Sequence, residues 1–123
     1  MKKIEIVAGN VQVQAELYDT PTAVAIANVL PVSGSANTWG EEIYFSITPE
    51  LSLEPGAKQE VETGELAYWP SGPAFCIFFG KTPVSISDKP RAYSPVNVFG
   101  KITGDISMLK KVENGDSITV RAL

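Results

Sequence analysis

GELAYWPSGPAFCIFFG, Gly64 to Gly80, is the most apolar and most aromatic stretch of the chain. It holds Tyr68, Trp69, Phe75, Phe78 and Phe79, five of the eleven aromatic residues. Two short apolar runs, Leu66 to Trp69 and Ala74 to Phe79, flank the turn-forming Pro70-Ser71-Gly72-Pro73. That is the pattern of two buried, neighbouring strands. The rest of the chain is expected to pack around them.

Upstream, Lys3 to Val7 and Val11 to Tyr18 alternate in polarity, and Gly9-Asn10 supplies turn residues between them, so a hairpin is expected. Its second strand turns Val11, Val13, Ala15 and Leu17 inward. Thr20 caps a helix that starts at Pro21, runs through the alanine-rich Ala23 to Val29 and stops at Pro31. After a Ser33-Gly34-Ser35 loop, Asn37 to Ile47 forms a third strand in which Ile43, Phe45 and Ile47 point inward and Glu42, Tyr44 and Ser46 make a polar face. Pro49 to Lys58 reads as a surface connection.

Downstream, Lys81 to Pro95 contains Pro83, Pro90 and Pro95 and reads as a loop of about fifteen residues, long enough to rim a site. Val96 to Ile102 is a sixth strand. Asp105 caps a short helix with Ile106, Leu109 and Val112 inward, and Ser117 to Leu123 closes the chain as a last strand. The expected fold is mainly β: a single domain forming a small closed barrel of about seven or eight strands with two short capping helices.

Composition narrows function by exclusion. A length of 123 residues suits one domain with its own core. Cys76 is the only cysteine and histidine is absent, which removes internal disulfides, the usual zinc ligands and every histidine-assisted nucleophile. No metal or cofactor is expected. The net charge is −4, and five glutamates lie between Glu50 and Glu65 against the single Lys58, which opposes contact with a phosphate backbone, so nucleic acid is not an expected partner. No apolar run reaches the roughly 18 residues a membrane span needs. Met1-Lys2-Lys3 passes directly into strand-like Ile4 to Val7, with no signal-peptide core, so a cytoplasmic location is the expectation.

The order of these elements resembles the cyclophilin family of peptidyl-prolyl isomerases. The carrying residues are Val11 to Tyr18 followed by Thr20-Pro21-Thr22-Ala23, the pair Phe78-Phe79, and Val98-Phe99-Gly100-Lys101 ahead of Leu109-Lys110-Lys111-Val112. NTWGEEIYFS and YWPSGPAFCIFFGKTP are similar to the minimal, atypical cyclophilin-like proteins of bacteria and archaea, a family without an established function. The resemblance implies a proline-accepting apolar pocket with a phenylalanine floor, carried here by Phe78 or Phe79. Cyclophilins also present an arginine from the third strand to the prolyl amide. Glu42-Ile43-Tyr44-Phe45-Ser46 holds none, the glutamine-glycine-glycine insertion that follows in the family is missing, and Val96 stands where the family has a histidine. Efficient isomerisation by the family mechanism is therefore not expected.

Candidate site residues follow from side-chain chemistry. Trp39, Tyr44, Tyr68 and Trp69 suit either a groove for a proline-like or planar ligand or the packing of core and rim. Glu41 and Glu42 follow Trp39-Gly40, where a carboxylate can meet a cationic or hydroxyl-bearing ligand or simply be solvated at a strand edge. Arg91, one of two arginines, can replace the missing strand arginine or remain an exposed loop charge. Asn97 can bond a ligand or the loop backbone, and Cys76, between Phe75 and Ile77, reads as an inert buried thiol. The function expected is binding of a peptide or small molecule in a groove near Trp39, Glu42, Tyr44, Tyr68, Phe78, Phe79 and Asn97. The alternatives are a weak prolyl isomerase using Arg91, and a homo-oligomeric scaffold built through edge strands.

Overall fold

Side-chain alternation and turn chemistry place most elements where they form. The structure, a computed structural model, describes residues 2–123. Strands β1 (Lys3–Ala8) and β2 (Val11–Leu17) make the N-terminal hairpin around Gly9, which adopts φ +55. Val11, Val13, Ala15 and Leu17 are all buried, as a period of two requires. Helix α1 (Pro21–Val29) begins where the Thr20 hydroxyl accepts the Ala23 N–H, and it buries Thr22, Ala23 and Ile26. Ile106–Lys111, expected as a short helix, is a 3₁₀ helix whose Asp105 cap accepts the Ser107 N–H.

Between these lie β3 (Val32–Ser35), β4 (Asn37–Thr38), β5 (Glu42–Ser46), β6 (Lys58–Glu60), β7 (Glu65–Trp69), β8 (Ala74–Phe78) and β9 (Arg91–Ile102), and β10 (Ser117–Ala122) ends the fold. All pairings are antiparallel, in the order β3-β10-β1-β2-β9-β7-β8-β5-β4, with β6 added on β9. The expected closed barrel of seven or eight strands is corrected here: one sheet of about ten strands forms, and its ends β3 and β4 do not pair. The reason is chain continuity. Only Ala36 separates β3 from β4, so residues 32–38 run as one extended segment whose first half pairs with β10 and whose second half pairs with β5. Ladder bonds to Ala36 from Gly115 and from Ala36 to Asp116 carry the β10 side across this seam.

Four local expectations change with it. Ser33-Gly34-Ser35 is strand, not loop, because Gly34 lets the Phe45 ring approach to 3.2 Å of where a side chain would start. The third strand breaks at Gly40, which takes φ +59 in a two-residue turn, with Trp39 and Glu42 exchanging backbone hydrogen bonds across it. The connection from Pro49 ends in β6. Strand β9 starts at Arg91, so the long loop stops at Pro90; Pro95 sits inside the strand, where the only partner is the short, irregularly registered β6.

The sheet buries two faces. Most of the apolar residues form one core that includes Leu17, Ile26, Ile43, Phe45, Leu66, Tyr68, Phe75, Phe99 and Leu109. A second, smaller core of Val61, Ala67, Ala74, Cys76, Phe78, Ala92 and Val96 lies on the opposite face of β7, β8 and β5. The connection from Pro49 is tied down over the main core: the Tyr68 hydroxyl donates to the Pro49 carbonyl at 2.8 Å and accepts the Leu51 N–H at 3.0 Å. Tyr68→Phe is expected to lower stability by about 1–2 kcal/mol, since it strands one partly buried donor and one partly buried acceptor. Urea denaturation reads the difference, and a cost within error of zero would mean that these bonds have no net worth.

Candidate ligand groove

On the second face the alternation of β5, β7, β8 and β9 brings Trp39, Glu42, Tyr44, Trp69, Ala92, Tyr93 and Val96 around a cavity of about 190 Å³. Glu42 and Tyr44 project from β5 toward this side, opposite Phe78 and Cys76 of β8. Trp69 ends β7, and its indole N–H donates to the Ser94 hydroxyl at 2.6 Å. Trp39 enters from the Gly40 turn. A Cβ at Gly40 would lie 2.9 Å from the Lys81 carbonyl oxygen, so glycine is needed both for its backbone angle and for the close approach of the Lys81–Pro83 segment.

Three of the rings stand as walls. Tyr93 lies between Trp39, at 6.1 Å and 69°, and Trp69, at 6.2 Å and 80°. Near-perpendicular planes at these distances are favourable edge-to-face contacts, and they tie the three rings into one aromatic cluster at the groove. Tyr93 itself is 69% exposed and forms the outer wall.

Glu42 is the one charged residue in this lining. The sequence places it on a polar strand face, yet it is 6% exposed, because the second core covers that face. Burial pushes its carboxyl up to about 7, and the neighbouring Cys76 thiol offsets this only in part. The thiol is in turn driven well above its usual range, first by burial and then by the Glu42 charge, which fits an inert cysteine. Other buried carboxylates have partners. Glu5 accepts from Arg121 and Gln12, and Glu65 accepts from Tyr18 and the Glu62 N–H with Lys58 at 3.8 Å. No ion pair among the described residues includes Glu42.

The other candidate residues lie elsewhere. Phe78 is fully buried beneath the groove in the second core, whereas Phe79 and Tyr68 belong to the main core on the other face. Asn97 is 2% exposed and holds the connection before β6: its Oδ1 accepts the Glu54 N–H, and its Nδ2 donates to the Ser52 carbonyl and the Thr22 hydroxyl. Arg91 points across β6, donating to the Gln59 side chain at 3.1 Å and to the Val84 carbonyl at 3.3 Å. Glu41 is partly exposed at the turn, 4.0 Å from Lys110. Ala92 and Tyr93 were hidden inside a segment that reads as loop. The signal for them is the alternation of Ala92 with Val96 around Pro95, legible only once β6 is known to pair there.

The family model of the cyclophilin-like proteins matches residues 2–121. The chain belongs to the cyclophilin-like family. A solution structure of a hypothetical protein from Archaeoglobus fulgidus is similar over 99% of this chain and 95% of that one, with 42% identity and a TM-score of 0.83. No functionally curated protein matches the sequence. In this cyclophilin-like chain the groove holds four aromatic side chains and one carboxylate, with no arginine among its lining residues. Among the described residues no three His, Cys, Asp or Glu side chains gather as a metal site, and no helix is long and apolar enough to cross a membrane.

Proposed function

We propose that this cyclophilin-like domain binds a peptide or small molecule in the aromatic groove and does not isomerise prolyl bonds efficiently. The observation that carries the reading is the lining itself: four aromatic side chains around about 190 Å³ of concave space, with no guanidinium to hydrogen-bond a prolyl amide. Arg91, the alternative source of such a group, already donates to Gln59 and Val84. Lowering the barrier to prolyl rotation, about 18–20 kcal/mol, through that residue would require breaking both bonds.

NMR of an X-Pro peptide with and without the protein tests this. Shifts of the Trp39 and Trp69 indole N–H signals are expected, with unchanged cis–trans exchange of the peptide. Accelerated exchange that disappears in Arg91→Ala and Phe79→Ala would replace this reading with that of a weak isomerase. Silent indole signals together with a sedimentation mass of two or more chains would favour a homo-oligomeric scaffold.

A further inference from the structure

We propose that the groove is a site for an organic cation, an alkylammonium group seated against the ring faces of Trp39, Trp69, Tyr93 and Tyr44 with its charge met by the Glu42 carboxylate. The proposal rests on the groove being a ligand site and names the chemistry it selects. Three independent features point the same way. The first is the wall composition: Trp39, Tyr44, Trp69 and Tyr93 line one concave space, with Tyr93 in edge-to-face contact with both tryptophans, and Trp and Tyr rings attract a desolvated cation far better than they attract a neutral group.

The second is the missing counter-charge. Of the buried glutamates, Glu5 is held by Arg121 and Glu65 lies beside Lys58, while Glu42 forms no ion pair among the described residues. A carboxylate in an apolar groove whose near partner is a neutral thiol is costly to ionise, and a bound cation supplies the counter-charge. The third is the donor set. Among the described residues Glu42 has only a protonated Cys76 beside it, too few donors for a metal ion, whereas an ammonium carrying alkyl groups needs one carboxylate and apolar walls. The source can be a free small amine or the modified side chain of a peptide; the ammonium chemistry is common to both.

The test compares choline with 3,3-dimethyl-1-butanol, its uncharged counterpart of nearly the same shape, by tryptophan fluorescence and indole N–H shifts at constant ionic strength. A peptide carrying trimethyllysine forms a third arm and separates a free amine from a side chain. Choline or the peptide is expected to bind at least about tenfold more tightly than the alcohol, within the range of cation–π and charge-pair energies. The preference should vanish in Glu42→Gln, and affinity should drop several-fold in Tyr93→Ala, an exposed position whose loss leaves the cores intact. Equal affinity for choline and the alcohol would overturn the cation but keep the groove as a binding site. Failure of both cations to bind while the X-Pro peptide shifts the same indole signals would likewise overturn the cation alone. No response to any of the ligands would overturn both readings.

Discussion

Between pH 4.5 and about 7 the protein is expected to lose about 3 kcal/mol of stability that a Glu42→Gln variant keeps. The carboxyl of Glu42 titrates near 7 in the folded chain and near 4.5 when unfolded, so across this window the native state binds the proton more tightly. A group raised in this way stabilises fully below its unfolded pKa, and the contribution is lost as pH rises through the folded one. Each unit of difference is worth about 1.4 kcal/mol, which sets the size. Other carboxyls act in the opposite sense. Glu5, held down by Gln12 and Arg121, favours the folded state as pH rises, but it is common to both proteins and cancels in the comparison. Urea denaturation of the two proteins at pH 4, 6 and 8 reads the difference, and stability curves that run parallel would show that Glu42 is solvated in the fold. The glutamine's own burial cost is independent of pH, so the slope and not the offset carries the result.

Phe75→Ala is expected to cost about 3–5 kcal/mol. Phe75 is fully buried, with its ring 5.3 Å from Phe45 at an interplanar angle of 29° and 5.1 Å from Phe99 at 76°. These rings come from β8, β5 and β9, so the residue joins three strands of the sheet, and its removal leaves a cavity that flanking strands cannot collapse without breaking their ladders. Against a total of about 5–15 kcal/mol for a domain of this kind, the loss is a large share. The denaturation midpoint should fall with an unchanged slope. A cost under about 1 kcal/mol would mean that the site repacks freely. The groove lies on the opposite face from this ring, so the indole signals of Trp39 and Trp69 should keep their positions in the folded variant.

Local chemistry made much of this fold legible. The alternation from Val11 to Leu17, the Thr20 and Asp105 caps and the apolar runs either side of Pro70 to Pro73 all read directly, because each is decided by neighbours within a few residues. What sequence left dark was decided by distant contacts. Glu42 reads as either ligand-facing or solvated, because alternation says which side of a strand a residue takes, not whether that side is covered. Its cover comes from Val61, Ala92 and Val96, which arrive through β6 and the early part of β9. The prolines at 90 and 95 disguised that part of β9 as loop, and Tyr93 was lost with it. The same limit separates Tyr68 from Trp69: adjacent aromatics in a strand face opposite ways, so one became core and the other groove wall.

The meeting of β3 and β4 at Ala36 also bears on how this protein avoids aggregation. An open sheet normally offers two outlying rows of unpaired N–H and C=O groups, each able to template a strand from another molecule. Here both ends belong to one stretch of chain. At that stretch the Thr38 N–H is already taken by the Asn114 side chain, and Ala36 by Asp116 and Gly115. The row of β4 is thereby occupied where it runs toward β10, so a strand added there would have to displace bonds the fold already makes, as it would at the seam of a closed barrel.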